Sequence, residues 1–201
     1  MIVIGITGGS GAGKTSALLA LKSLGASVID CDAVYHSLLQ TSSAMLDELS
    51  QRFPGTVSGG QLDRAALAEI VFHNAQALES LNSITHRYIR TETERMIQSA
   101  RAQGAAACAV DAAALIQSGF NTLCDVVVGV VAGRETRIAR IMRRDGLTHE
   151  QAAARIDAQP DDSFYYQNCD CVLKNDSATP AAFTQSCIQF FSDLIRRDSY
   201  V

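Results

Sequence analysis

An apolar run, Ile2 to Ile6, leads into Gly8-Gly9-Ser10-Gly11-Ala12-Gly13-Lys14-Thr15, and that octet opens directly onto a helical pattern. The octet satisfies GxxxxGK(S/T) at every defined position, and a strand before it with a helix after it is the context that gives such a loop its meaning. Its glycines let successive N–H groups turn inward onto phosphate oxygens, and the helix N-terminus adds the positive end of its dipole. Lys14 then meets the β and γ phosphates of a nucleoside triphosphate as a point charge, and the Thr15 hydroxyl is a ligand for Mg2+. A glycine-rich turn that only joined strand to helix would need neither residue. The expected ATP-binding loop is therefore Gly9, Ser10, Gly11, Ala12, Gly13, Lys14 and Thr15.

The rest of the chain repeats the strand–helix rhythm. Lys14 to Leu24 carries an apolar stripe of Leu18, Leu19, Leu21 and Leu24 and stops at Gly25; further strand-like runs are Ser27 to Ile29, Ala106 to Asp111, Val126 to Val131 and Cys171 to Leu173. Short apolar strands alternating with helices predict a parallel sheet covered on both faces. One interval breaks the rhythm. Between the second and third strands the chain reads as helix over Ala33 to Phe53, turn over Pro54 to Gln61, then helix over Leu62 to Phe72 and again from about Asn74 to Gln103. The expected fold is thus an α/β P-loop NTPase three-layer sandwich, with a five-stranded parallel sheet, a helical insertion and a short lid. Residues 1–32 and 104–201 form the nucleotide-binding core and 33–103 the insertion. The lid spans about 140–165, where a basic helix, Arg134 to Arg144, is followed by one whose Thr148 and Gln151 have capping-box spacing. A last helix, with Thr179 as N-cap and Pro180 at its first position, runs to about Arg197.

Composition narrows the functional classes. With 47% hydrophobic and 19% charged residues in 201, the chain has the profile of one ordinary folded globule. A net charge of −4 gives no general attraction to nucleic acid or to an anionic membrane. No apolar stretch approaches the roughly 20 residues of a membrane span, and Met1 to Thr7 lacks the basic start and small-residue cleavage site of a signal peptide. A cytoplasmic location is expected, with the six cysteines reduced and unpaired. Cys169 and Cys171 alternate across Asp170 and give little basis for a zinc site.

Two further features bear on chemistry. Asp30 and Asp32 follow the second strand, at the rim where ligands bind in open α/β sheets. Either can cap the helix that follows, and Asp32 can also accept the proton of an attacking hydroxyl. Arg134, Arg137 and Arg140 recur at i, i+3 spacing, followed by Arg143 and Arg144. A solvated helix face explains any one of them, whereas phosphoryl transfer needs such cations as a group. The octet alone leaves a nucleoside or nucleoside monophosphate kinase open, and also a nucleotide-dependent switch. Against a guanine-nucleotide switch, NKxD is absent and Lys174-Asn175-Asp176 has the wrong order.

Taken in order, "IGITGGSGAGKT", "GASVIDCDAVYH", "LDRAALAEIVF", "LNSITHRYI", "RIMRRDGLTHEQAAARIDAQ" and "CDCVLKND" resemble the dephospho-coenzyme A kinase family over nearly the whole chain. The resemblance implies transfer of the ATP γ-phosphoryl group to the ribose 3′-hydroxyl of dephospho-coenzyme A, with Mg2+ and with small-molecule partners only. It implies that Asp32 is the base toward that hydroxyl, and that Lys14 and Arg140 stabilise the transferring group. Arg140, Arg144 and Asn175 would complete the ATP site, with Asn175 near the adenine. Thr7, Asp32, Arg64, His86 and Gln159 would bind the acceptor. Asp111 would assist Thr15 at the metal, through water. The chain departs from the family pattern at Ala113 and Gln117, where proline and glutamate are usual, at Ala68 in place of an arginine, and at Arg87 in place of a proline.

Overall fold

The computed structural model describes residues 1–177 and 179–198. Five strands, β1 (Ile2–Gly8), β2 (Ser27–Asp30), β5 (Ala107–Asp111), β6 (Val126–Val131) and β7 (Cys171–Lys174), form one sheet in the order β2-β5-β1-β6-β7. The β1–β5, β1–β6 and β6–β7 pairs are parallel, with Ile6 opposite both Asp111 and Val128. All seven residues of β1 are buried, as a central parallel strand covered on both faces requires. The chain passes from β5 on one side of β1 to β6 on the other. The C-terminal end of β1 is therefore a topological switch point, the place where open α/β sheets bind ligands.

Alternation along the strands sorts the two faces. Ile4, Ile6, Ala107, Ala109, Val128 and Val130 share a core with Ala17, Ala20 and Leu21 of α1 (Lys14–Ser23) and Phe183, Cys187 and Phe191 of α9 (Pro180–Asp198). Gly5 and Gly129 face the other way, close against Leu115 and Cys124 and against Tyr165 and Cys169. Residues 134–168 add α6 (Arg134–Asp145), α7 (His149–Asp157) and α8 (Asp162–Asn168). The first two join through their own small core of Ile138, Ile141, Ala152 and Ile156. Thr148 and Gln151 make the expected reciprocal cap at the start of α7. Thr179 receives the Ala182 N–H at 3.2 Å at the start of α9.

The interval between β2 and β5 differs from the sequence expectation in three places, each for a local reason. The helix expected over 33–53 is two, α2 (Cys31–Thr41) and α3 (Ser43–Arg52). Ser42 is extended and its Oγ receives the Met45 N–H at 3.2 Å, so a helix-starting acceptor interrupts the run. The expected turn holds a hairpin, β3 (Val57–Ser58) and β4 (Gln61–Leu62), around Gly59-Gly60. The next helix, α4 (Arg64–Phe72), starts two residues late because Asp63 caps it, accepting from Ala65 N and Ala66 N at 3.0 Å each. The long α5 (Ala75–Ala102) follows.

The chain divides into two compact units: residues 1–29 with everything from Ile97 on, and Asp30–Met96. The second has its own core of Met45, Leu49, Phe53, Leu67, Ala77 and Ile84. No helix among the described residues is long and apolar enough to cross a membrane.

Candidate active site

The loop after β1 closes on the N-terminus of α1. Gly13, at φ 117°, is the N-cap, and its carbonyl receives the N–H groups of Ser16 (3.0 Å) and Ala17 (3.4 Å). The amides of Lys14 and Thr15 precede the first helical hydrogen bond, so they point out of the helix end where an anion is held. Ala12 N donates to Gly9 O at 3.1 Å and draws the loop tight. Thr15 is exposed beside Lys14, and Lys14 Nζ lies 4.0 Å from Asp111 Oδ1 at the end of β5.

The basic helix divides its arginines among different partners. Arg140 Nη1 donates to the carbonyls of Gly11 (3.1 Å) and Ala12 (3.3 Å), and its Nη2 to Asn175 Oδ1 (3.3 Å). Burial, and secondly the neighbouring Arg143, lower its pKa, yet a guanidinium keeps its charge at physiological pH. Asn175, 3% exposed just past β7, donates through Nδ2 to Ala12 O at 2.8 Å. Arg137 is buried and donates to Ser10 O and Gln159 Oε1. Arg134 and Arg144 turn elsewhere. Arg134 pairs with Asp157 at 2.8 Å, and Arg144 with Asp145 at 2.7 Å. Arg144 first, and then Arg155, hold the Asp145 carboxyl down to about 2. The arginine face read from spacing is thus brought to the loop at Arg137 and Arg140.

Thr7, buried at the end of β1, donates to the Ala113 carbonyl at 3.2 Å. The departure from proline at 113 leaves this contact intact, because it uses the backbone. Gln159 has its amide on the loop, with Nε2 donating to Ser10 Oγ and Oε1 accepting from Ser10 N, both at 2.9 Å. In the sequence Arg137 is marked only as one of the arginines at i, i+3 spacing, with nothing to single it out as a partner of the loop.

In the unit Asp30–Met96, Asp30 settles the capping question. Its Oδ1 accepts from Asp32 N (2.9 Å) and Ala33 N (3.0 Å), so it is the N-cap of α2, and Asp32 is exposed in the first turn. Arg64 opens α4, and its charge lowers the Tyr35 pKa against a larger upward push from burial. His86 is partly buried on α5, which lowers its pKa. Arg87 pairs with Glu48, which also accepts from Tyr88 OH at 3.1 Å, and its guanidinium lies 5.2 Å from the Tyr88 ring centre. The departure at 87 therefore ties α5 to α3. Ala68 and Gln117 are exposed.

Among the described residues no three His, Cys, Asp or Glu side chains group as a metal cage. Burial foremost pushes the thiols of Cys108, Cys169 and Cys187 up to about 11, which keeps them protonated at neutral pH. Thr15 and Asp111 offer only oxygen. Such a donor pair suits Mg2+, which is held largely by phosphate and water.

Phosphate cradles built this way, with cations brought from a helix far along the chain, are the working parts of P-loop phosphotransferases, and this is a member of that class. The family model for dephospho-CoA kinase, CoaE, matches residues 2–181. The dephospho-CoA kinase of Corynebacterium jeikeium is 38% identical over 176 residues, 87% of this chain and 91% of its own length. That of Dehalococcoides mccartyi is 32% identical over 194 residues, 96% of each chain. The solved dephospho-CoA kinase from Campylobacter jejuni superposes with a TM-score of 0.71 at 27% identity over 98% of both chains. The chain belongs to the dephospho-CoA kinase family.

Proposed function

We propose that the chain transfers the γ-phosphoryl group of ATP to the 3′-hydroxyl of dephospho-coenzyme A, the last step of coenzyme A synthesis. A bond forms between the 3′-oxygen and the γ-phosphorus, the γ-phosphorus–bridging-oxygen bond breaks, ADP leaves, and the hydroxyl proton passes to Asp32. The observation that carries the reading is the phosphate loop held by Arg140 and Asn175 in a chain whose family match runs over residues 2–181.

Lys14 and Arg140 neutralise charge that spreads over the oxygens of the moving group. The amides of Gly11, Gly13, Lys14 and Thr15 hold the β-phosphate, and positioning rather than covalent chemistry supplies most of the rate. Thr15, with Asp111 through water, would hold Mg2+, which would supply charge neutralisation for the triphosphate. The adenine is assigned to a cleft of about 440 Å3 next to Asn175, lined by Thr136, Ala139, Arg140, Arg143, Asp176 and Pro180. Arg144 is assigned to the same nucleotide after exchanging Asp145 for phosphate. Arg64 and His86, in the 33–103 insertion, bind the acceptor with Thr7, and the 140–165 segment shields the reaction from water. The reaction is assigned to the cytoplasm, where thiols such as the six of this chain stay reduced.

The test is ADP release with and without dephospho-coenzyme A, alongside nucleoside monophosphates as rival acceptors. Asp32→Asn is expected to lose turnover by two orders of magnitude or more, on the scale of general base catalysis, with ATP affinity nearly kept. Unchanged turnover would remove Asp32 from its role, and faster phosphorylation of a monophosphate would replace the acceptor.

A further inference from the structure

We infer that Arg137 and Gln159 form a latch that sets the phosphate loop in its receiving shape before ATP arrives, making both of them positioning residues for the nucleotide. The inference rests on the ATP-kinase reading and deepens it. Arg137, in the first turn of α6, is 4% exposed. Its Nε donates to Ser10 O at 2.9 Å, its Nη2 to Gln159 Oε1 at 2.9 Å, and its Nη1 lies 4.0 Å from Asp162 Oδ1. Gln159, two residues past α7, completes the grip on Ser10: Oε1 accepts the Ser10 N–H and Nε2 donates to Ser10 Oγ, each at 2.9 Å. Every polar group of Ser10, at the tip of the loop, is therefore held by these two side chains.

Shape complements the hydrogen bonds. A Cβ on Gly9 would stand 2.2 Å from Arg137 Nη2, and one on Gly11 would stand 2.8 Å from the Arg137 carbonyl oxygen. The loop lies directly on Arg137, with no space for another side chain. A run of glycines has more backbone freedom to lose than any other sequence. If ATP had to order the loop, that entropy would be subtracted from binding; with the loop already ordered by the fold, it is not. All three guanidinium nitrogens of Arg137 face protein acceptors, so it acts on phosphate through Ser10 rather than by touching it. Arg140, by contrast, holds the far side of the loop at Gly11 and Ala12. Gln159, which the family resemblance assigns to the acceptor, is here occupied with the ATP loop at both ends of its amide.

The experiment compares the unchanged protein with Arg137→Lys, Gln159→Leu and the double variant. ATP binding is measured by calorimetry without acceptor, KM for each substrate by ADP release, and folding by thermal unfolding. Each single variant is expected to weaken ATP binding about tenfold or more, as losing hydrogen bonds to a charged group does. The KM for dephospho-coenzyme A should stay within about twofold. The double variant should lose less than the product of the single effects, because one network is broken twice. ATP affinity within twofold of the parent in folded single variants overturns the latch, even if thermal stability falls. A raised KM for dephospho-coenzyme A with unchanged KM for ATP in Gln159→Leu overturns it as well. An unchanged protein that bound no ATP would sink the kinase reading itself, which is a separate result.

Discussion

Gly13 has two independent reasons to be glycine. Its φ of 117° lies where an L side chain is strained, a cost of about 1–3 kcal/mol. A Cβ there would also stand 2.3 Å from Asn175 Nδ2 and 3.3 Å from Phe183 Cε1. The first reason is local and is written into the phosphate-loop motif. The second depends on a residue past β7. Gly13→Ala should therefore lower stability by more than the backbone strain alone and push Asn175 off the Ala12 carbonyl. Urea unfolding and ATP calorimetry check both effects. A variant as stable as the parent, with ATP affinity kept, would refute the close packing of Asn175 on the loop.

Among the elements, α2 shows how one acid, by capping a helix, leaves its neighbour free for the role proposed for it. The Asp30 carboxylate occupies itself with the first amides of the helix, and the next acid, Asp32, is left exposed in the first turn. Both acids stand at a helix start in the sequence, and either suits a cap; the extended backbone at Asp30, with φ −93° and ψ 109°, decides between them. Asp30→Ala should cost about 0.5–2 kcal/mol and reduce turnover by disordering the turn that carries Asp32. Asp30→Ser, which retains a capping oxygen, should recover most of both. If Asp30→Ser folds as well as the parent yet turns over no faster than Asp30→Ala, Asp30 takes part in the chemistry itself. The same logic of caps explains where the helical interval broke: Ser42 and Asp63 supply acceptors that begin new helices, signals visible in the sequence but outweighed there by the apolar pattern around them.

The whole molecule consists of two compact units, each with its own core; the proposed ATP loop lies in the first, and Arg64 and His86 of the proposed acceptor site lie in the second. Hydrogen exchange can read them separately. ATP alone should slow exchange over the phosphate loop, the first turn of α1 and α6. Dephospho-coenzyme A alone should slow exchange in α4 and α5, around Arg64 and His86. Protection by the acceptor confined to residues outside 30–96 would remove Arg64 and His86 from its site. The strand–loop–helix start, the parallel sheet and the helical interval were all legible in sequence, because each is encoded by neighbours: contiguous glycines with Lys14 and Thr15, short apolar runs, and stripes at helical spacing. The fate of the arginines was not legible. Arg134, Arg137 and Arg140 are equivalent by spacing, yet Asp157 takes the first, Ser10 and Gln159 take the second, and the loop carbonyls with Asn175 take the third. Those partners lie far away along the chain. Periodicity places a side chain on a face of its own helix, whereas packing of α6 against the loop and against α7 chooses what that face meets, and only the folded chain contains that choice.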